Sequence, residues 1–126
     1  AKVRGDKHIV IWGTGTPRRD FLHVDDCAEA LVHLMKVYSQ PGHINVGSGE
    51  DLAVIDLARL VAEVVGFQGE IVSDPSKPDG TLRKLMSGEK LSALGWRPRI
   101  GLREGIADAY RAFLDPSGSA LGPALR

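Results

Sequence analysis

Val10-Ile-Trp-Gly-Thr-Gly-Thr-Pro-Arg-Arg-Asp-Phe-Leu-His-Val-Asp-Asp26 decides how the rest of the chain is read. Ile9, Val10 and Ile11 form a short β-branched run bounded by polar residues and glycine, the pattern of a buried strand. Gly13, Gly15 and Pro17 cannot continue it and punctuate the chain into a tight loop. Trp12 therefore ends a strand, and Arg18 and Arg19 sit in the loop region just past the bend. An aromatic face close to a planar, permanently charged guanidinium suits a nucleotide, since a base stacks on one and a phosphate is gripped by the other. The same residues also suit a buried tryptophan with surface arginines, and chemistry alone leaves both readings open.

Helical periodicity follows. Asp25 or Asp26 is placed to cap a helix and complement its dipole. Cys27, Ala28, Ala30, Leu31, Leu34, Met35 and Tyr38 then recur at helical spacing, predicting one apolar face. Ser39-Gln-Pro-Gly42 ends that helix, and Ile44-Asn-Val46 reads as a short strand entering Gly47-Ser-Gly49. A second amphipathic helix spans 54–65 with Gly66 as its stop; Ala53 offers no cap, which leaves Asp51 for that role. Glu70-Ile-Val-Ser73 reads as a strand followed by a Pro/Lys/Asp/Gly loop through Gly80. Short helices follow over 89–94 and 102–114, and the chain from Asp115 onward reads as a mobile tail. Strands alternating with helices predict an α/β fold with a small, largely parallel sheet. The polar, basic opening from Ala1 to His8 reads as a loop entered from an upstream domain.

Composition narrows the function classes. A chain of 126 residues is one domain by length, long enough for a sizeable core. Sixteen basic residues balance sixteen acidic ones, so no global field attracts nucleic acid or an anionic membrane. One cysteine excludes an internal disulfide. No apolar run approaches the roughly 18 residues of a membrane span. A cytoplasmic protein with no membrane and no nucleic-acid partner is expected.

Catalytic patterns are missing. Neither Gly13-x-Gly15 nor Gly47-x-Gly49 completes a dinucleotide or P-loop fingerprint, so no cofactor-binding residues are assigned. Tyr38 and Tyr110 lack a lysine four residues on, where Gly42 and Leu114 stand. Cys27 falls on the apolar side of a helix and reads as a core thiol. His8, His23, His33 and His43 are scattered, and Asp25-Asp26 beside His23 reads as capping, so no metal ligands and no catalytic residues are assigned.

Trp-Gly-Thr-Gly-Thr-Pro-Arg-Arg-Asp-Phe-Leu-His-Val-Asp-Asp26, Ile44-Asn-Val-Gly-Ser-Gly-Glu-Asp51, Gly69-Glu-Ile-Val-Ser-Asp-Pro-Ser-Lys-Pro-Asp-Gly-Thr-Leu-Arg-Lys-Leu85 and Leu94-Gly-Trp-Arg-Pro98 together resemble the GDP-L-fucose synthase family. These are NADP-dependent epimerase/reductases among the extended short-chain dehydrogenase/reductases. Trp-Gly-x-Gly-x-Pro-x-Arg with Ser-Lys-Pro-Asp-Gly-x-x-Arg-Lys is the narrow part of the likeness, which spans residues 8–114. It implies a C-terminal substrate-binding part over 1–114, a tail over 115–126, and an N-terminal Rossmann core absent from the chain.

The resemblance also implies a parent, homodimeric and using NADP(H), that makes GDP-L-fucose from GDP-4-keto-6-deoxy-D-mannose by 3,5-epimerisation and 4-reduction. The family's catalytic Ser/Thr, Tyr-x-x-x-Lys pair, Cys and His lie upstream of the Trp-Gly-x-Gly segment. This chain alone is therefore expected to bind no NADP(H) and to be inactive. By the same resemblance Trp12, Arg19 and Lys84 contact the GDP-sugar, Lys84 at the diphosphate. Lys77, Asp79 and Arg83 are weaker candidates, with a turn role as an alternative for Lys77 and Asp79, and Arg18 is expected in solvent. The family usually has Pro at Leu82 and Leu-Leu-Asp at Leu85-Met-Ser87; the change to Ser87 removes an acidic residue near Lys84. Two alternatives stand beside this reading: part of an enzyme acting on another nucleotide sugar, and a stand-alone binding module with no exposed apolar patch.

Overall fold

The computed structural model describes residues 1–115. The opening strand, β1 (His8–Trp12), pairs in parallel with β4 (Glu70–Asp74), His8 opposite Glu70 and Trp12 opposite Asp74. Ile9 and Ile11 turn inward while Val10 and Trp12 are exposed, so the expected buried strand is a ribbon covered on one face. That alternation is the two-residue period of a pleated strand.

The two arginines are not in a loop. Arg18–Asp20 form β2, the middle strand of a second sheet between β3 (Asp51–Ala53, antiparallel) and β5 (Arg83–Lys84, parallel). Gly15 makes the bend at φ 74°, where an added Cβ would stand 2.9 Å from Ile55 Cβ, so the loop can press this close only with glycine.

The close approach caps the helix α2 (Val54–Val65). Val54 N–H donates to Pro17 O at 3.0 Å and Ile55 N–H to Gly15 O at 2.9 Å, satisfying donors that Ala53 cannot. Asp51 does not cap it, because its carboxylate is committed elsewhere. The helix stops at Gly66, φ 71°, as the periodicity predicts. The short helix α3 (Glu89–Ala93) and the long α4 (Leu102–Leu114) also fall where expected, with α4 packed on α2 and Arg103 paired to Glu63 between them.

The helix α1 (Val24–Val37) corrects two expectations. His23 is its cap, with Nδ1 accepting Asp25 N–H at 3.3 Å, while Asp26 is buried and accepts Arg99 N–H at 3.1 Å and Ile100 N–H at 2.9 Å. The apolar residues also divide. Ala30 and Leu34 join a core with Leu91 and Trp96, whereas Leu31 and Met35 face outward with Val24 and Val32.

Ile44-Asn-Val46 is not a strand among the described residues. It has no ladder partner, although Ile44 and Val46 pack on the Ala30–Leu91–Trp96 cluster. Strand character needs a neighbouring backbone, and here only the side-chain half of the requirement is met. The core is thinner than chain length suggests: Ala30, Ala53, Phe67, Leu91 and Trp96 are the buried apolar residues among those described. No helix among the described residues is long and apolar enough to cross a membrane. The expected tail lies, beyond Asp115, outside the described residues.

Candidate functional site

Trp12, at the end of β1, is 71% exposed, so it is not a core residue. Lys77 lies over its ring with Nζ 5.8 Å from the centroid, within cation–π range. The loop that carries Lys77 is tied to the turn after Trp12. Asp79 accepts Thr14 N–H at 2.8 Å and Thr14 Oγ1–H at 2.7 Å. Gly13 permits this contact: at φ 78°, a Cβ there would stand 2.1 Å from Asp79 Oδ1. Lys77 and Asp79, given equally to a turn role from sequence, thus hold one face and the flank of Trp12.

The same loop reaches Arg19. Its Nη1 donates to Arg18 O and Thr81 O, each at 2.7 Å, and Gly80 lies against Nη2, where a Cβ would approach to 3.0 Å. The half-buried guanidinium is thereby oriented by backbone carbonyls and not by a carboxylate. From Thr81 the chain enters β5, which brings Lys84 opposite Arg19 in the ladder. The 77–84 segment is therefore the physical link between Trp12, Arg19 and Lys84.

Strand alternation then separates four cations into two pairs. Arg18 and Arg83 are opposite one another on one face, and both bond Asp51: Arg18 Nε at 2.7 Å to Oδ1, and Arg83 Nε to Oδ2. Arg18 also donates to Asp51 O at 2.7 Å, so it is anchored and not simply solvated. The Asp51 side chain is 6% exposed. The hydrogen bonds from Arg18 and then Arg83 hold its carboxyl below the usual carboxylate range. Arg19 and Lys84 occupy the opposite face, and no carboxylate pairs with either among the described residues. Like charges directly opposite on a ladder are destabilising. An anion would relieve that, and a diphosphate offers the oxygens that a guanidinium fork and an ammonium both accept.

Gly47-Ser-Gly49 is not available as a phosphate loop. Asp20 takes its donors, accepting Ser48 N–H at 2.9 Å, Ser48 Oγ–H at 2.5 Å and Gly49 N–H at 3.3 Å. Asp20 was not singled out from sequence, and Asp51 was expected there only as a helix cap; a carboxylate beside a glycine loop or on a polar strand carries no periodic signal.

The remaining reactive groups stand apart. Cys27 is half-buried on α1. His23, Asp25 and Asp108 bring one ligand atom each within 4.8 Å of one another, which sequence spacing did not reveal. His23 Nδ1 is occupied as the helix cap, and Nε2 lies 3.7 Å from Asp108 Oδ2. A groove lined by Phe21, Leu52, Pro98, Ile100 and Leu102 includes none of Trp12, Arg19 and Lys84. Trp12 and Lys84 are exposed and Arg19 is half-buried, a surface strip in the sense that the 77–84 segment connects them.

Comparison with known proteins gives this strip a context. The NAD dependent epimerase/dehydratase family matches residues 1–47. A GDP-L-fucose synthase of Sinorhizobium fredii is 53% identical over 114 residues, covering 90% of this chain and 36% of that protein. A solved GDP-L-fucose synthetase from Naegleria fowleri, bound to NADP, superposes with a TM-score of 0.83 at 26% identity, covering 90% of this chain and 36% of that one. A GDP-6-OMe-4-keto-L-xylo-heptose reductase from Campylobacter jejuni gives 0.79 at 38% identity, covering 85% and 34%. The chain spans about a third of the length of the curated relatives it matches. The relatives that it matches are named GDP-L-fucose synthases, and it aligns with their C-terminal third.

Proposed function

We propose that this chain is the part of an NADP-dependent GDP-L-fucose synthase that holds the GDP end of the sugar nucleotide. The chemistry itself, 3,5-epimerisation and 4-reduction of GDP-4-keto-6-deoxy-D-mannose, belongs to the upstream part of the parent, which carries NADP(H). In this reading Trp12 stacks the guanine, Arg19 grips phosphate or ribose oxygens, and Lys84 supplies a point charge to the diphosphate. The observation that carries it is the uncompensated Arg19–Lys84 pair, joined to an exposed indole through the 77–81 loop. The chain alone transfers no hydride, since it offers neither a dinucleotide fingerprint nor a Tyr-x-x-x-Lys pair.

Half a site binds weakly. A base stack contributes roughly 1–3 kcal/mol and each charge-assisted bond roughly 1.5–3 kcal/mol, against an association cost of about 4 kcal/mol or more. The expected affinity for a GDP-sugar is high micromolar to millimolar, on the order of 4–6 kcal/mol.

The outward stripe of α1 supports the reading as part of a larger protein. Val24, Leu31 and Met35 recur one helical turn or two apart and are 71%, 54% and 85% exposed. A stand-alone module predicts no such patch. The upstream two-thirds of the parent is the occupant we assign to that stripe. Residue 24–35 amides that become protected when the parent's remaining residues are added would support this; unchanged protection would refute it.

A two-dimensional NMR titration tests the nucleotide assignment. GDP is expected to shift Trp12, Arg19 and the 77–84 segment, and UDP is expected not to. Equal response to both nucleotides would remove the guanine specificity. The likeness to the Campylobacter reductase favours one second reading, a reductase of a different GDP-sugar; that reading keeps the GDP response and changes only which keto sugar the parent consumes.

A further inference from the structure

β5 is two residues long, sits at the edge of its sheet, and lies within a segment, 80–87, that is exposed throughout. A strand this short makes few ladder bonds; Arg18 N–H to Leu82 O, at 2.8 Å, is one beside it. Charge works against it. The ladder sets Arg83 beside Arg18 and Lys84 beside Arg19, two like-charge pairs that push β5 away from β2. One carboxylate opposes both. Asp51, on the far strand, reaches diagonally across β2, takes Arg18 on one oxygen and Arg83 on the other, and so spans all three strands. We propose that Asp51 is a positioning residue of the nucleotide site: by binding Arg18 and Arg83 at once it holds β5 on β2, and this keeps Lys84 beside Arg19 as a paired site for a diphosphate.

The proposal rests on the reading of Arg19 and Lys84 given above, but its core claim concerns β5 and can be measured separately. Asp51 faces away from the Arg19–Lys84 side and does not touch the ligand. Its carboxyl, held below the usual range by Arg18 and Arg83, stays ionised through neutral pH, so the tie is present wherever the parent would work. Arg83 acquires a role from this geometry: it is the handle by which Asp51 grips the edge strand.

The test compares the full chain with Asp51→Asn, Asp51→Glu, Arg83→Met, Lys84→Met and the Asp51→Asn/Lys84→Met pair, using GDP and guanosine as probes. Asp51→Asn and Arg83→Met should each weaken GDP about three- to tenfold, a partial loss of one charge-assisted contact, and leave guanosine unchanged. Arg83→Met cuts the tie at its exposed end, so it keeps the test open should Asp51→Asn fold poorly. Asp51→Glu should recover part of the GDP affinity. In the Lys84→Met background Asp51→Asn should add nothing, because the charge it positions is gone.

Amide exchange supplies the second readout: protection at Arg83 and Lys84 should fall in Asp51→Asn while α2 keeps its own. Unchanged exchange at β5, equal losses for GDP and guanosine, or full additivity with Lys84→Met would each overturn the proposal. Should the unaltered chain ignore GDP, the nucleotide reading fails, and exchange at β5 alone then supports or refutes the role of Asp51.

Discussion

On one face of the β3-β2-β5 sheet Arg18 and Arg83 share the carboxylate of Asp51; on the other, Arg19 and Lys84 stand side by side without one. Each cation of the first pair is the sequence neighbour of one in the second, and all four carry one positive charge, yet the first pair is anchored and the second is left open. Helix α1 repeats the contrast. Its inner side carries Asp26, Ala30 and Leu34, packed and hydrogen-bonded, and its outer side carries Val24, Leu31 and Met35 in the open. In both places the anchored side is the one that has spent its carboxylate or its apolar area inside the chain. The open side keeps groups that a ligand or another part of a protein can satisfy.

The largest effect expected is on the anchored side. Asp26→Ala leaves Arg99 N–H and Ile100 N–H without their acceptor in a partly buried place, at about 1 kcal/mol or somewhat more. Chemical denaturation should show that loss, and Met35→Ala, on the open side of the same helix, should shift the midpoint little; equal losses would erase the distinction. Next comes Lys84→Met. It should weaken GDP about tenfold, as one charge-assisted bond is lost, while thermal unfolding stays level or rises because a like-charge neighbour of Arg19 has gone. A clear loss of stability would put Lys84 on the anchored side.

The pH dependence of stability separates the two faces further. The carboxyl of Asp51 is lowered in the folded chain, relative to about 3.9 when unfolded. Its contribution is therefore fully present above that unfolded value and is lost as pH falls through the lowered folded value. Replacing Arg18 and Arg83 together by Met should flatten this acid limb, whereas Lys84→Met should leave it in place. The smallest effect belongs to Lys77→Met, which removes an exposed cation–π contact of about 0.5–1 kcal/mol. Trp12 fluorescence should change in that variant while the unfolding midpoint barely moves; an unaltered emission spectrum would dissociate Lys77 from the indole.

Much of the helical frame was legible in the sequence. Val54 to Val65 repeats at helical spacing and meets glycine at Gly66; Leu102 to Leu114 does likewise from Gly101. Trp12, Arg19 and Lys84 were singled out there too, by resemblance. The two polar strands were not readable. Arg18–Asp20 and Arg83–Lys84 have no apolar alternation, and their strand character comes from one another and from Asp51–Ala53. Ile44–Val46 failed in the reverse direction, with suitable residues and no partner. α1 misled because apolar residues on two adjacent sides of a helix share one periodic signal, and periodicity does not say which side is covered.

By itself the sequence determined where helices run, where glycines stop them, and that the chain holds no dinucleotide fingerprint. Those are local properties, written in spacings of two to four residues and in the freedom of single glycines. Tertiary structure alone decided which cations are anchored and which are open. Asp51 meets Arg18 and Arg83 across separations of 33 and 32 residues, and Asp26 meets Arg99 and Ile100 across 73 and 74. No local preference encodes such pairings. They arise when strand register and helix packing bring one carboxylate within hydrogen-bond reach, and the groups that register passes over stay open.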